Sequence, residues 1–171
     1  MYVALTAVSA AFGLSSGVIQ VRISEALCVL PAYFSSAIPG VTIGCLIANI
    51  FFGASALDIA VGTLATLIGA IICWLIRKWP YAASVPTILS NALIIPVVLI
   101  LQNIGTWNEY VYFAGTVGLG ELIACGILGT LIIVWFEQRK KRKNKKEKTE
   151  SAGEEAKPEI SEEPEEKEKE E

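Results

Sequence analysis

The stretch SVPTILSNALIIPVVLILQ, residues 84–102, contains no Asp, Glu, Lys or Arg. About 20 mostly apolar residues form a helix long enough to cross the hydrocarbon core of a membrane, so this stretch predicts a transmembrane helix. Five further apolar segments flank it, at residues 1–14, 22–35, 38–52, 56–77 and 108–137, with Gly or Pro near their joints. The sequence therefore predicts an all-α, polytopic membrane bundle of about six transmembrane helices.

The charged residues divide the chain into two regions. Residues 1–136 contain only seven Asp, Glu, Lys or Arg side chains, and all the others lie beyond them. The second region begins with eight Lys or Arg at residues 139–148, and eleven Glu and three Lys follow Thr149. Because it has almost no apolar residues to bury, we expect it to be disordered. The predicted division is a transmembrane domain at 1–137 and a disordered, charged tail at 138–171.

Basic residues predict the orientation of the bundle. Lys and Arg are enriched in cytoplasmic loops, and they occur here at 139–148 and in the pair Arg77 and Lys78 after the fourth segment. We therefore expect a multi-pass protein of the cell membrane with both termini in the cytoplasm. The joints near Gly17, Gly53 and Gly105 would face outward. The basic part of the tail is interpreted mainly as a topology signal, with adhesion to anionic lipid as the alternative.

Several segments are shorter than a full membrane span. The two between residues 22 and 52 are short, and Pro31 interrupts the first of them. Irregular backbone at membrane depth is tolerated only where protein or a water-filled cavity covers it, so a cavity is expected here. The first segment is also short, which suggests a helix that begins upstream of Met1.

Small residues at helical spacing predict where helices approach one another closely. Three ridges have this spacing: one at Gly40, Gly44 and Ala48, another at Gly62, Thr66 and Ala70, and a shorter third at Ala7 and Ala11.

Polar groups within apolar helices are costly, and each is a candidate for a binding site. Glu121 should cost the most free energy, because it lies about 18 Å along the last helix from Glu109 and therefore near the middle of the membrane. Structural roles are the alternatives: an ion pair between Arg22 and Glu25, a helix cap at Asp58, and interhelical hydrogen bonds at the two asparagines. The candidates for substrate binding are Arg22, Glu25, Asn49, Asp58, Asn91 and Glu121.

Several functions are excluded by what the sequence lacks. It has no histidine and no CxxC pair, so neither a metal site nor a cofactor is predicted, and the cysteines are interpreted as small buried hydrophobes. It has no GxxxxGK[ST] phosphate loop, so the chain does not hydrolyse ATP itself and is not predicted to be an enzyme. No nucleic-acid partner is expected. The four cysteines are Cys28, Cys45, Cys73 and Cys125.

The motifs GVIQVRISEALCVLP (17–31), IPGVTIGCLIANIFFG (38–53), LDIAVGTLATLIGA (57–70), SNALI (90–94) and GLGELIACGILG (118–129) resemble the QueT family. That resemblance implies an S component of an energy-coupling factor transporter, which captures a queuosine precursor. It also implies a transmembrane T component and two ATPase subunits as partners. In such S components an AxxxA surface on the first helix contacts the T component, and Ala7 and Ala11 have that spacing. Gln20, within the first motif, joins the substrate-binding candidates.

The implied ligand is a 7-deazaguanine, which has an N–H beside an exocyclic amine and a carbonyl that needs a donor. The carboxylate of Glu121 or Glu25 could accept hydrogen bonds from the ring N–H and the exocyclic amine. The side chain of Asn91, Asn49 or Arg22 could donate to the carbonyl. Two aromatic residues, Trp107 and Tyr110, could stack on the ring, or instead lie at the membrane interface. Two other functions stay open: an autonomous facilitator or channel for a polar metabolite, and a structural subunit whose buried charges only pair with one another.

Overall fold

The computed structural model describes residues 1–14 and 21–155, with side chains as far as residue 147. This part of the chain is helical and contains no strand. Six α-helices follow in order, together with a 3₁₀ segment at Ile23–Ala32 between the first two. They are α1 (Tyr2–Ala11), α2 (Ala37–Phe51), α3 (Thr63–Leu75), α4 (Val85–Leu101), α5 (Tyr110–Glu121) and α6 (Gly129–Glu155). The predicted all-α architecture is confirmed.

Two of the helices continue from π-helical turns. A π turn at Asp58–Gly62 leads directly into α3, and another at Leu122–Leu128 joins α5 to α6. Two short 3₁₀ turns, Pro80–Ala82 and Trp107–Glu109, precede α4 and α5. Three of the continuous apolar helices are long enough to cross a membrane: Asp58–Leu75, Pro80–Leu101 and Trp107–Glu147. The apolar helices Tyr2–Ala11, Ile23–Ala32 and Ala37–Phe51 are shorter.

Helices α1, α2 and α4 end in the same way. Each is followed by a residue with positive φ: Gly13 at 68°, Gly53 at 68° and Asn103 at 59°. In each case the next amide bonds to a carbonyl five residues back, as in Ala54 N to Asn49 O at 2.9 Å. This arrangement satisfies carbonyls that the end of a helix otherwise leaves without donors.

The chain divides into two compact units, residues 1–135 and residues 136–171. The core of the first unit is built from small side chains on several helices, and the four cysteines are all buried and unbridged. In the second unit the chain is helical as far as Glu155, and the predicted boundary at residue 138 stays a prediction. Lys and Glu are good helix formers, which favours this extension of an existing helix. Residues 156–171 lie outside the described part.

The small-residue ridges are present with one exception. A methyl group at Gly44 would lie 2.6 Å from Cβ of Tyr2, so α1 and α2 approach closely there. Ala48, Thr66 and Ala70 are buried. A methyl group at Gly40 would have no neighbour within 4 Å, so the predicted place of Gly40 in the first ridge is wrong. The ridge begins one turn later because α1 crosses α2 at Gly44.

Candidate ligand-binding site

A cavity of about 730 Å³ lies within the first unit. It occupies the end of the bundle where α2 and α4 finish and where the helices at Asp58 and Trp107 begin. Cavities of this size match the range of about 300–1,000 Å³ that is typical of small-molecule sites. The cavity predicted for the region of residues 22–52 is therefore confirmed, since Arg22, Glu25 and Asn49 are among its lining residues.

Three helices present regular stripes to the cavity. Residues four apart in a helix share a face, and the lining residues follow that spacing. The helix that begins at Asp58 contributes Asp58, Gly62 and Thr66. Helix α4 and the residue after it contribute Asn91, Ile95, Leu99 and Gln102, and α5 contributes Phe113, Val117 and Glu121. Helix α2 contributes Cys45, Ala48, Asn49 and Phe52, and α1 contributes Thr6 and Ala10.

Glu121 and Asn91 meet inside the cavity, across α5 and α4. The Asn91 amide donates from Nδ2 to Oε1 of Glu121 at 2.7 Å. The other carboxylate oxygen, Oε2, is buried and has no hydrogen-bond partner within the described residues. A buried carboxylate oxygen without a donor costs free energy, and a ligand N–H would remove that cost.

Glu25 differs from Glu121 in its hydrogen bonds. Its carboxylate is 3% exposed, and both of its oxygens have donors: Tyr2 Oη at 2.5 Å and Cys28 Sγ at 3.2 Å. Glu25 therefore ties the 3₁₀ segment to α1, although it also lines the cavity.

Arg22 lies beside Asn49 rather than in an ion pair with Glu25. Its guanidinium donates from Nη1 to Asn49 Oδ1 at 3.1 Å. Asn49 in turn donates to the backbone oxygen of Asp58 at 3.4 Å. No direct salt bridge joins Arg22 and Glu25 among the residues that the structure describes, although their charges attract each other at longer range. Glu25 instead accepts hydrogen bonds from Tyr2 and Cys28.

Asp58 takes part in a helix cap, but it is not the capping residue itself. The Ser55 hydroxyl accepts the Asp58 backbone N–H at 3.1 Å and donates to Asp58 Oδ2 at 2.9 Å. Ser55 therefore caps the helix, and Asp58 is the acidic residue three positions later that supports it. One edge of Asp58 still faces the cavity.

The structure brings the predicted substrate residues together wherever it describes them. Arg22, Glu25, Asn49, Asp58, Asn91 and Glu121 all line the one cavity. Gln20 and the joint at Gly17 lie outside the described residues. Ala7 and Ala11 are on α1 away from the lining, the first half-buried and the second exposed. Both asparagines also make the interhelical hydrogen bonds considered as their alternative, Asn49 to the backbone of Asp58 and Asn91 to Glu121.

The aromatic residues of the site are not those proposed from sequence. Trp107 and Tyr110 are absent from the lining, and the Tyr110 hydroxyl donates to Leu93 O at 3.0 Å. The cavity instead contacts Phe52, Tyr112 and Phe113. The helical spacing of four between 113, 117 and 121 could have revealed Phe113, because it puts that ring on the face of Glu121.

Two further polar groups of the lining were missed in the sequence. Thr6 faces the cavity from α1 and its hydroxyl forms a hydrogen bond with that of Ser24 at 2.8 Å, and Gln102 also lines the cavity. Tyr2, Thr6 and Ser9 recur at helical spacing along α1, which was the available signal for the first. Eleven residues separate Asn91 from Gln102, which is close to three full helical turns and was the signal for the second.

The charges of the cavity are unequal. The described lining holds the carboxylates of Glu25, Asp58 and Glu121 but only one cation, Arg22. Within the described residues no group of three or more His, Cys, Asp or Glu is placed to hold a metal ion. The three carboxyl groups beside one guanidinium favour a ligand that donates more hydrogen bonds than it accepts.

The fold and this cavity define a helical membrane protein with a partly open cavity whose mainly apolar wall carries several polar groups. The sequence model of the QueT transporter family matches residues 1–138, so the chain belongs to the QueT transporter family. No curated protein and no solved structure matches the chain.

Proposed function

We propose that this chain is the substrate-binding S component of an energy-coupling factor transporter, and that its ligand is a queuosine precursor of the 7-deazaguanine class. The observation that carries the proposal is the buried, unpartnered Oε2 of Glu121 in a cavity of about 730 Å³. Membership of the QueT transporter family supports the same assignment.

The polar edge of a 7-deazaguanine fits the Glu121 wall. Its ring N–H and exocyclic amine point in one direction, and a carboxylate accepts two such donors side by side. Oε2 of Glu121 is free to accept one of them. Oε1 accepts from Asn91 and retains a lone pair for the other. Because Asn91 fixes the carboxylate, the acceptors are oriented before the ligand arrives.

The remaining walls supply a donor and an apolar surface. The Arg22 guanidinium has several N–H groups, only one of which is used by Asn49, so it is available to the ring carbonyl. Phe52 and Phe113 offer aromatic faces on which a flat bicyclic base packs. A fused base with one donor edge and one acceptor edge would thereby have a polar partner at each edge and an aromatic face to pack on.

Transport would be powered by partner subunits. The sequence has no phosphate loop, so two ATPase subunits and a T component would supply the energy. Arg77 and Lys78 follow α3 at the end of the bundle opposite to Asp58. With these residues and both termini in the cytoplasm, the cavity would open outward. Ala7 and Ala11 on α1 would contact the T component.

Calorimetry on the purified protein tests the ligand assignment. Wild-type protein should bind a 7-deazaguanine saturably, and Glu121→Ala should abolish binding. Glu109→Gln is the matched control, because Glu109 is an exposed carboxyl at the start of the same helix and does not line the cavity. Unchanged affinity of Glu121→Ala would remove Glu121 from the site. No binding by wild type would refute the ligand class.

Reconstitution tests the transport mechanism. Liposomes that contain this chain alone should bind the ligand without accumulating it, and uptake should require the T component, the ATPases and ATP. Uptake by the chain alone would establish the autonomous facilitator instead. Ala7→Leu combined with Ala11→Leu should reduce co-purification of the T component while leaving ligand affinity unchanged.

A further inference from the structure

The side chain of Arg22 bonds to a neutral amide although it shares the cavity with carboxylates. Those of Glu25, Asp58 and Glu121 belong to the same described lining. Among the described residues, the hydrogen bond of the guanidinium goes instead to Asn49 Oδ1, at 3.1 Å. Its other N–H groups are therefore left for a ligand, and the proposed function uses them for the ring carbonyl.

The chemistry of its neighbours fixes which way the Asn49 amide points. Arg22 can only donate hydrogen bonds, so the amide oxygen must face it. The backbone oxygen of Asp58 can only accept, so the amide nitrogen must face that side, and Nδ2 donates to it at 3.4 Å. Nδ2 also donates to Cys45 Sγ at 3.6 Å. The reversed amide would set donor against donor and oxygen against oxygen, so a single orientation satisfies these neighbours.

Asn49 has no N–H left for a ligand. Both of its donors are used inside the protein, and the residue is only 4% exposed. Cys45, one turn earlier on α2, also accepts from the hydroxyl of Thr66 at 3.4 Å. The amide is thus held from two helices, and an asparagine held in this way acts on a ligand through the group that it orients, which is Arg22.

The backbone around Arg22 is held as well. The N–H of the next residue, Ile23, donates to Ser9 Oγ on α1 at 2.8 Å. The carbonyl of Arg22 accepts from Glu25 N at 2.9 Å. With its backbone held at α1 and its guanidinium held at α2, the long side chain is restricted at both ends. Such an arginine loses less rotamer freedom when a ligand binds than a free one would.

We propose that Asn49 is a positioning residue, which aims the Arg22 guanidinium at the ligand and thereby sets the preference of the site for a carbonyl oxygen. This inference rests on the proposed function, since it assumes that Arg22 donates to the ring carbonyl of the base. Without Asn49 Oδ1, the guanidinium would turn to the carboxylates that share the cavity, because charge-assisted hydrogen bonds are the stronger ones. The base would still be held at Glu121, but its carbonyl would lose its donor.

Calorimetry with two bases tests this role. The first is 7-deazaguanine, and the second is its thiocarbonyl analogue, which keeps the ring N–H and the exocyclic amine but offers sulfur, a weaker acceptor. Wild type should bind the carbonyl base about tenfold more tightly, as expected when a hydrogen bond to a charged group is weakened. Arg22→Met should remove this preference, and so should Asn49→Leu. The double variant should show no further change in the preference, because the two residues act as one unit.

A second substitution separates positioning from stability. Asn49→Asp keeps an acceptor for Arg22 but, like Asn49→Leu, loses the bond to Asp58 O. Both variants should therefore lower the midpoint of thermal unfolding, whereas only Asn49→Leu should lose the preference for the carbonyl base. Asn49→Ala lacks the acceptor without adding bulk and should behave like Asn49→Leu. Asn108→Leu is the control, because Asn108 is exposed and does not line the cavity.

The outcomes separate this inference from the proposed function. The positioning role would be overturned if Asn49→Asp and Asn49→Leu both lost the preference, or if both kept it. It would also be overturned if wild type bound the two bases equally or if Arg22→Met kept the preference, although binding of the base would then still support the proposed function. Failure of wild type to bind either base would overturn the proposed function itself.

Discussion

The amide of Asn91 donates to one oxygen of Glu121 at 2.7 Å and leaves the other oxygen buried without a donor. This relationship couples two helices that are 30 residues apart in sequence. It gives the carboxylate a single orientation, and in the proposed function the other oxygen accepts from the ligand. The binding strength of the site should therefore depend on Asn91 as well as on Glu121.

Asn91→Leu should weaken the binding of a 7-deazaguanine by about tenfold or more. The substitution removes a hydrogen bond to a charged group, an interaction typically worth about 1.5–3 kcal/mol, and leaves the carboxylate free to rotate. Calorimetry measures the change. Asn108→Leu is the control, because Asn108 is exposed and outside the cavity. An Asn91→Leu protein with wild-type affinity would show that the ligand does not use the carboxylate.

Tyr2→Phe should lower the stability of the bundle by about 1–3 kcal/mol. The change removes the donor at 2.5 Å from Glu25 and leaves one oxygen of a 3%-exposed carboxylate without a partner. The four buried cysteines provide the assay, because a thiol-reactive dye labels them only as the protein unfolds. Tyr81→Phe, at a residue 63% exposed, should leave the labelling midpoint unchanged. Equal midpoints for the two variants would contradict a structural role for the Tyr2 hydroxyl.

Gly44→Ala should destabilise the contact between α1 and α2. Its new methyl group would lie 2.6 Å from Cβ of Tyr2, which forces the helices apart. Overpacking of this kind costs about 1–3 kcal/mol. Gly40→Ala adds the same methyl group one turn earlier, where nothing lies within 4 Å, and should be tolerated. Thermal unfolding followed by tryptophan fluorescence compares them, and similar midpoints would show that α1 does not pack against Gly44.

Ser55→Ala should destabilise the protein by about 1 kcal/mol, the usual effect of losing a helix cap. The hydroxyl of Ser55 holds both the backbone N–H and the carboxylate of Asp58. Ser36→Ala is a matched control, because Ser36 also precedes a helix but its side chain makes no capping bond. Circular dichroism during heating measures both variants. A midpoint for Ser55→Ala that equals that of Ser36→Ala would contradict the cap.

Costly polar residues were the part of the site that the sequence could predict. Glu121 and Asn91 stand out in apolar helices because few other reasons place such groups there. Gln102 gave no such signal, since a polar residue at the end of an apolar segment is expected at an interface. Only the tertiary structure shows that its amide is buried.

The hydroxyl groups of α1 were missed for a related reason. Thr6 and Ser9 each donate to the carbonyl four residues earlier, so they are tolerated in an apolar helix without any tertiary partner. Their contacts with the 3₁₀ segment depend on how two short segments cross, which helical periodicity does not specify. The six segments themselves were predictable, because they are apolar runs with Gly or Pro near their joints.

The π-helical turn at Leu122–Leu128 begins immediately after Glu121. Such a turn contains one residue more than an α-helical turn, so it shifts the angular phase of everything that follows. The cavity face before it ends at Glu121, and the buried face after it includes Ile133. Because the turn absorbs one extra residue, the spacing between Glu121 and Ile133 does not follow a continuous 3.6-residue period, and extending the helical pattern from Glu121 misplaces the buried face that follows.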